Sequence, residues 1–229
     1  MLRADDACFE PDVAVCIFES CAVQQRRPPL AYAESRCPRV QGLGRRSLHQ
    51  YVGAMTPDDP IVTSRLRLVS LSPTALEMLL DDNIYGASEE QGFEFTNEFL
   101  ATVNQAFLTI QRMSMRNGHL TPGWFVRGIL RKDDDVLIGH CGFHGTPSDI
   151  GRAEIGYTIF LPYRRRGYGS EAAQGLEQWA RSQGSPVVFA TVSSTNVASL
   201  ALVTKLGFQR TGPQHADGDG EDIVFEVGP

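Results

Sequence analysis

Between residues 152 and 182 the period of the apolar positions changes. Ile155, Tyr157, Ile159 and Leu161 alternate with Glu154, Gly156, Thr158 and Phe160, and both sets are mostly apolar. A strand apolar on both faces belongs inside a sheet covered on both sides. Pro162 ends it, since proline has no N–H to give to the ladder. Beyond Arg164-x-x-Gly167-x-Gly169, Ala172, Leu176, Trp179 and Ala180 recur at helical spacing, and Gly184 follows. A helix over about Tyr168–Ser182 is expected.

The rest of the chain reads in the same way. Ile61–Ser70 is strand-like, and Ser72-Pro73 supplies a cap and a first-turn proline for a helix to about Asp82. Thr96 caps a second helix, whose stripe of Leu100, Val103, Phe107, Ile110 and Met113 closes at Asn117-Gly118. Gly123–Leu130 and Val136–Phe143 form a hairpin across Lys132–Asp135. Pro186–Val192 is a further strand. Thr195 or Asn196 caps a helix to Leu206, which Gly207 stops. Phe208–Gly212 and Ile223–Val227 close the sheet around the polar turn His215–Glu221. This order predicts an α/β sheet of mixed direction.

Residues 1–58 show no sustained period, and Met55-Thr-Pro-Asp-Asp-Pro resembles a natural N-terminus. The expected division is an N-terminal extension over 1–58 and one domain over 59–229. The extension is either a flexible arm or upstream sequence that the native protein lacks.

Strand, glycine turn and helix start together make an anion site. The first helical N–H groups have no intrahelical acceptor, and the helix dipole adds positive charge there. Glycine lets a phosphate approach the backbone. Gly167-x-Gly169-x-x-Ala172 also fits the dinucleotide fingerprint, which makes an oxidoreductase one reading. Against it, Pro162–Arg166 separate strand from glycine. The next strand ends in Thr191-Val-Ser-Ser194 with no acid.

Composition narrows the classes. A net charge of −6 argues against general nucleic-acid affinity and makes Arg164–Arg166 a local basic cluster. No apolar run approaches the ~20 residues of a membrane span. Cys8, Cys16, Cys21, Cys37 and Cys141 form no Cys-x-x-Cys pair and no zinc pattern, so no metal is expected. An odd cysteine count without a secretory signal implies reduced thiols and a cytoplasmic location. Cys141 reads as a small buried strand residue.

Glu154 is an ionisable group in an otherwise apolar strand, where burial is expected to raise its pKa towards the range of a general base. The bland alternative pairs it with Arg152 or solvates it. His140 and His144 are rival bases.

Arg164-x-x-Gly167-x-Gly169 resembles the coenzyme A loop of the GNAT acyltransferases. Asn196-x-x-Ser199, Lys205-Leu-Gly-Phe208 and Glu154-Ile-Gly-Tyr157 resemble segments of the RimJ/RimL-like branch. So do Ile138-Gly139, Gly142-Phe143 and the Arg65–Leu68 strand. The resemblance runs over about residues 61–229. It implies a GNAT fold, with a mixed sheet of about six to seven strands flanked by helices on both faces. It also implies acetyl-CoA-dependent N-acetylation of a primary amine, on a protein N-terminus or a small molecule, by direct transfer. A different reading is an idle domain that binds coenzyme A as a sensor.

The resemblance further assigns Glu154 and Ser199 to catalysis, with Ser199 donating to the departing sulfur. The wider superfamily often carries a Tyr seven residues after the Asn, and here that position is Val203. Coenzyme A falls to the backbone of Ile159, Phe160 and Leu161, to Arg164, Arg165, Arg166, Gly167, Tyr168, Gly169 and Ser170, and to Asn196. An N–H near Phe160 is the implied oxyanion donor. Tyr85, Phe93 and Phe95, in the loop between the first two helices, are candidate acceptor contacts. Neither nucleic acid nor membrane is an expected partner, and the expected assembly is a monomer or homodimer.

Overall fold

The computed structural model describes residues 59–117, 122–147, 151–215 and 221–228. The extension over 1–58 lies outside the described residues, as does most of the turn before residue 221. Strands are β1 (Ile61–Val62), β2 (Leu66–Ser70), β3 (Arg127–Arg131), β4 (Leu137–Phe143), β5 (Arg152–Ile159), β6 (Val187–Ser193), β7 (Gln209–His215) and β8 (Glu221–Val227). Helices are α1 (Pro73–Leu80), α2 (Ile84–Gln91), α3 (Asn97–Thr102), α4 (Gln105–Arg116), α5 (Tyr168–Ser182) and α6 (Val197–Lys205). The strands form one mixed sheet in the order β1-β2-β3-β4-β5-β6-β8-β7. Among the described residues it has eight strands rather than six or seven. The stretch read as one strand from Ile61 to Ser70 is two short ones, paired antiparallel with Ile61 opposite Leu68.

Each face of the sheet carries its own core. On one side Leu66, Leu68, Ile155, Tyr157 and Ile159 pack with Ala172, Leu176 and Trp179 of α5 and Val203 of α6. On the other, Leu130, Leu137 and Phe160 pack with Leu76 and Leu79 of α1, Phe99 of α3 and Phe107 of α4. The alternation on β5 therefore sorts its side chains between two helical layers.

The helix expected from Thr96 to Asn117 is two helices. Thr96 does cap α3, but Val103 turns extended at φ −84° and ψ 137°. Asn104 then caps α4 through its Oδ1, which accepts the Phe107 N–H at 3.0 Å. The break rotates the second half of the stripe. Phe107, Leu108 and Gln111 face inwards, while Met113 is 57% exposed.

One feature shapes the centre of the sheet. Strand β5 pairs with β4 over its second part, from Phe143 opposite Ile155 to Gly139 opposite Ile159. Its parallel pairing with β6 covers only Arg152–Glu154, ending at Glu154 opposite Phe189. Beyond that point the two parallel strands part.

Candidate active site

The backbone of β5 defines the opening left by that parting. Phe160 donates its N–H to the Ile138 carbonyl at 2.9 Å, and His144 donates to the Glu154 carbonyl at 3.1 Å. Groups at 154, 156, 158 and 160 thus face β4, and alternation turns those of Ile155, Tyr157 and Ile159 towards the β6 side. This changes the reading of residues 159–161. The Phe160 amide is already a ladder donor, and the Leu161 amide donates to Glu98 Oε1 of α3 at 2.9 Å. Of the three, only Ile159 presents its amide on the side of the opening. Its carbonyl accepts from Arg164 Nε at 2.8 Å, which folds the loop arginine back on the strand end.

Past β5, a short 3-10 turn over Leu161–Tyr163 leads to the glycine loop. Arg165 and Gly167 adopt left-handed φ of 59° and 80°. Such turns draw successive N–H groups into a concave, anion-binding run, here at the N-terminus of the 15-residue α5. Arg165, Arg166 and Gly167 are exposed. Behind the loop, Glu171 accepts from Thr63 Oγ1, the Arg65 amide and Arg65 Nε at 2.6 to 2.7 Å. Arg65 also donates to the Arg166 carbonyl at 3.0 Å and lies over the Tyr168 ring. The Glu171 carboxyl is held below its usual range; the burial that opposes this is outweighed by those Thr63 and Arg65 bonds. Sequence reasoning missed this brace, because its partners stand about a hundred residues apart.

The two loop glycines serve different ends. A Cβ on Gly167 would meet only Arg65 Nη2, at 3.4 Å. One on Gly169 would point inwards and meet Leu202 Cδ1 and Tyr157 Cε2, both at 3.3 Å. Gly169 therefore makes room for packing under the helix.

Glu154 stands where β5 and β6 separate, on the α1–α4 side. Thr191 Oγ1 of β6 donates to its Oε1 at 2.6 Å, and His144 Nδ1 lies 3.3 Å from its Oε2. Both side chains are largely buried, and the His144 ring packs edge-on against Phe107. The Glu154 pKa moves down, not up as expected. Burial is the largest influence and raises it, but the His144 and Thr191 hydrogen bonds and the charges of His144 and Arg152 together win. Arg152 itself pairs with Glu226.

His140 is a core histidine. It is fully buried between Phe99 and Phe160, with Nε2 3.2 Å from Thr102 Oγ1. Burial pushes its pKa down to about 4, and a bond with Thr102 offsets only part of this. The folded protein keeps His140 neutral while the unfolded chain protonates near its ordinary 6.5. Stability from this group is thus complete above pH 6.5 and lost as pH falls towards about 4, by up to ~3 kcal/mol. His140→Phe keeps a ring in place, so its melting temperature should vary less across that window. An unchanged slope would contradict the assignment. Cys141, fully buried with its thiol pushed up to about 12, is no nucleophile.

On the opposite face, Asn196 caps α6, its Oδ1 accepting the Ser199 N–H at 3.0 Å. Ser199 is 1% exposed, and its Oγ accepts from the Tyr157 hydroxyl at 3.4 Å. Of the acceptor candidates, Tyr85 lies on α2 and is 75% exposed. Phe95 belongs to the core, stacked edge-on with Phe99, and Phe93 leans on it and on β3 at Gly128. Among the described residues no group of His, Cys, Asp or Glu could hold a metal, and no helix is long and apolar enough to cross a membrane.

Residues 65–209, more than half the chain, match the acetyltransferase (GNAT) domain family. The chain belongs to the GNAT acetyltransferases. As a GNAT protein it has a relative in Bacillus subtilis, the uncharacterized N-acetyltransferase YjdG. The two are 31% identical over 147 residues, 64% of this chain and 87% of YjdG. The YoaA N-acetyltransferase of the same organism is 40% identical over 86 residues, 37% of this chain and 49% of YoaA. Solved structures with this fold include RimL, the ribosomal L7/L12 α-N-protein acetyltransferase, at TM-score 0.52 and 16% identity, covering 75% of this chain and 94% of RimL. The microcin C7 self-immunity acetyltransferase MccE, solved with acetyl-CoA and AMP, has TM-score 0.52 and 16% identity, covering 76% of this chain and 98% of the other. GNAT membership makes the chain an N-acetyltransferase and removes the nicotinamide reading of the glycine loop.

Proposed function

We propose that this GNAT enzyme transfers acetyl from acetyl-CoA to a primary amine, directly and without a covalent enzyme intermediate. The observation that carries the reading is the parting of β5 and β6 beyond Glu154 and Phe189, in line with the glycine loop. An extended pantetheine arm fits such an opening as an added strand against the backbone of Ile155–Ile159. The pyrophosphate then meets the amides of Arg165–Ser170 and the positive end of α5. Arg165 and Arg166 add charge at the surface. Acetyl-CoA bound to the structural relative MccE supports the same choice of donor.

The acceptor ammonium has to lose a proton, since only the neutral amine attacks. Glu154 and His144 form the proton-accepting unit. A carboxylate held ionised against Nδ1 places the imidazole proton there and leaves Nε2 as the basic nitrogen. The Ile159 amide, turned to the opening, is the oxyanion donor. Ser199 meets the departing thiolate from the opposite face. A buried acid–base pair beside the opening favours catalysis over a sensor, which needs none. The acceptor is either a protein N-terminal amine, as RimL's name states for RimL, or a small amine, reached past Tyr85.

Release of free thiol from acetyl-CoA, measured with serine- and alanine-initiated peptides and with small primary amines, tests the reading. Amine-dependent release is expected, and none with any acceptor would overturn it. Gly167→Val examines the loop. A β-branched residue at φ 80° costs of order 1–3 kcal/mol, so coenzyme A affinity should fall by about tenfold by calorimetry. Unchanged affinity would take the loop out of the site.

A further inference from the structure

Strand β5 sends one more polar group to the site, on the face away from Glu154. Tyr157 is 3% exposed, and its ring fits against Gly169 at the first turn of α5. Its hydroxyl reaches across to Ser199 Oγ at 3.4 Å. The phenol therefore spans from the glycine loop to the first turn of α6, alongside the opening.

We infer that Tyr157 is a positioning residue that aims the Ser199 hydroxyl at the thioester sulfur. This rests on the acetyl-transfer reading. A serine hydroxyl carries one proton and rotates to suit its partners. When a phenol donates into its oxygen, the serine proton turns elsewhere, and the donated bond polarises the O–H it points with. The Ser199 amide is tied to Asn196, so the backbone cannot follow the side chain. In the step itself the amine lone pair forms the C–N bond, and the C–S bond breaks with its electron pair passing to sulfur. The first ammonium proton goes to the Glu154–His144 unit before attack, and the second N–H proton, released as the amide forms, passes to solvent. No proton has to move from Ser199, because a thiol has a pKa of about 8.5 and its anion persists well once hydrogen-bonded. The Tyr157 hydroxyl acts through that bond and touches neither reactant.

Tyr157→Phe in the full chain removes the hydroxyl and keeps the ring under Gly169. Turnover of acetyl-CoA with an active amine should fall by about tenfold, with KM for acetyl-CoA and the melting temperature little changed. Ser199→Ala should lose at least as much. The double variant should be no worse than Ser199→Ala alone, because the phenol acts only through the serine. A Tyr157→Phe enzyme with wild-type turnover, or losses that multiply in the double variant, would overturn the inference and leave acetyl transfer standing. Wild-type protein that releases no thiol with any amine would overturn both.

Discussion

Glu154→Gln should lower turnover at neutral pH by about 10²-fold, the lower end for general-base catalysis. The substitution keeps the side-chain shape and the bond from Thr191 but removes the charge beside His144. Raising the pH should restore part of the rate, because more of the acceptor amine is then already neutral. The acid limb of the rate–pH profile should move or flatten. Coenzyme A affinity should hold, since Glu154 faces the α1–α4 side and the loop lies at the other end of β5. His144→Gln should show a comparable loss, and the double variant should lose little more. That pattern marks a pair acting as one unit. Wild-type turnover with an unaltered profile in Glu154→Gln would remove the pair from the mechanism. A loss confined to Glu154→Gln would instead make the carboxylate the base by itself.

A large stability effect is expected from Gly139→Ala. A Cβ there would sit 2.2 Å from the Thr158 carbonyl oxygen and 3.1 Å from Ile159 Cα, both backbone atoms of the neighbouring strand. No side chain can swing away to relieve it, so β4 and β5 must separate. A loss of about 3 kcal/mol is expected, a fall of roughly 10 °C in melting temperature. The displaced segment is the end of β5 at Ile159, so coenzyme A affinity should weaken along with stability. A variant that melts with the wild type would show that the strands separate there without cost. One that melts low but binds normally would uncouple the strand end from the coenzyme site.

The sequence by itself determined the elements whose causes are local. Pro162, the glycines of the loop and the stripe of α5 place that helix at Tyr168–Ser182, as expected from the pattern. Caps act within one turn, so Ser72, Thr96 and Asn196 mark helix starts wherever the chain goes next. The break at Val103 escaped notice because Asn104 reads equally well inside a helix and as a second cap. Only packing chooses between them.

Tertiary structure decided the chemistry around those elements. Burial alone predicts a raised Glu154 pKa, yet Thr191 of β6 and His144, just past the end of β4, reverse the direction. The packing of Gly169 over Tyr157 and Leu202 is likewise set by the fold, not by the loop pattern. The amides of Phe160 and Leu161 are already bonded, because an amide's partner depends on which strand or helix lies beside it, here Ile138 and Glu98. Likewise, nothing near Ser199 in the chain announces Tyr157, forty-two residues earlier. Period and cap chemistry act over a few residues, whereas hydrogen-bond partners and pKa shifts depend on which distant segments the sheet order brings together.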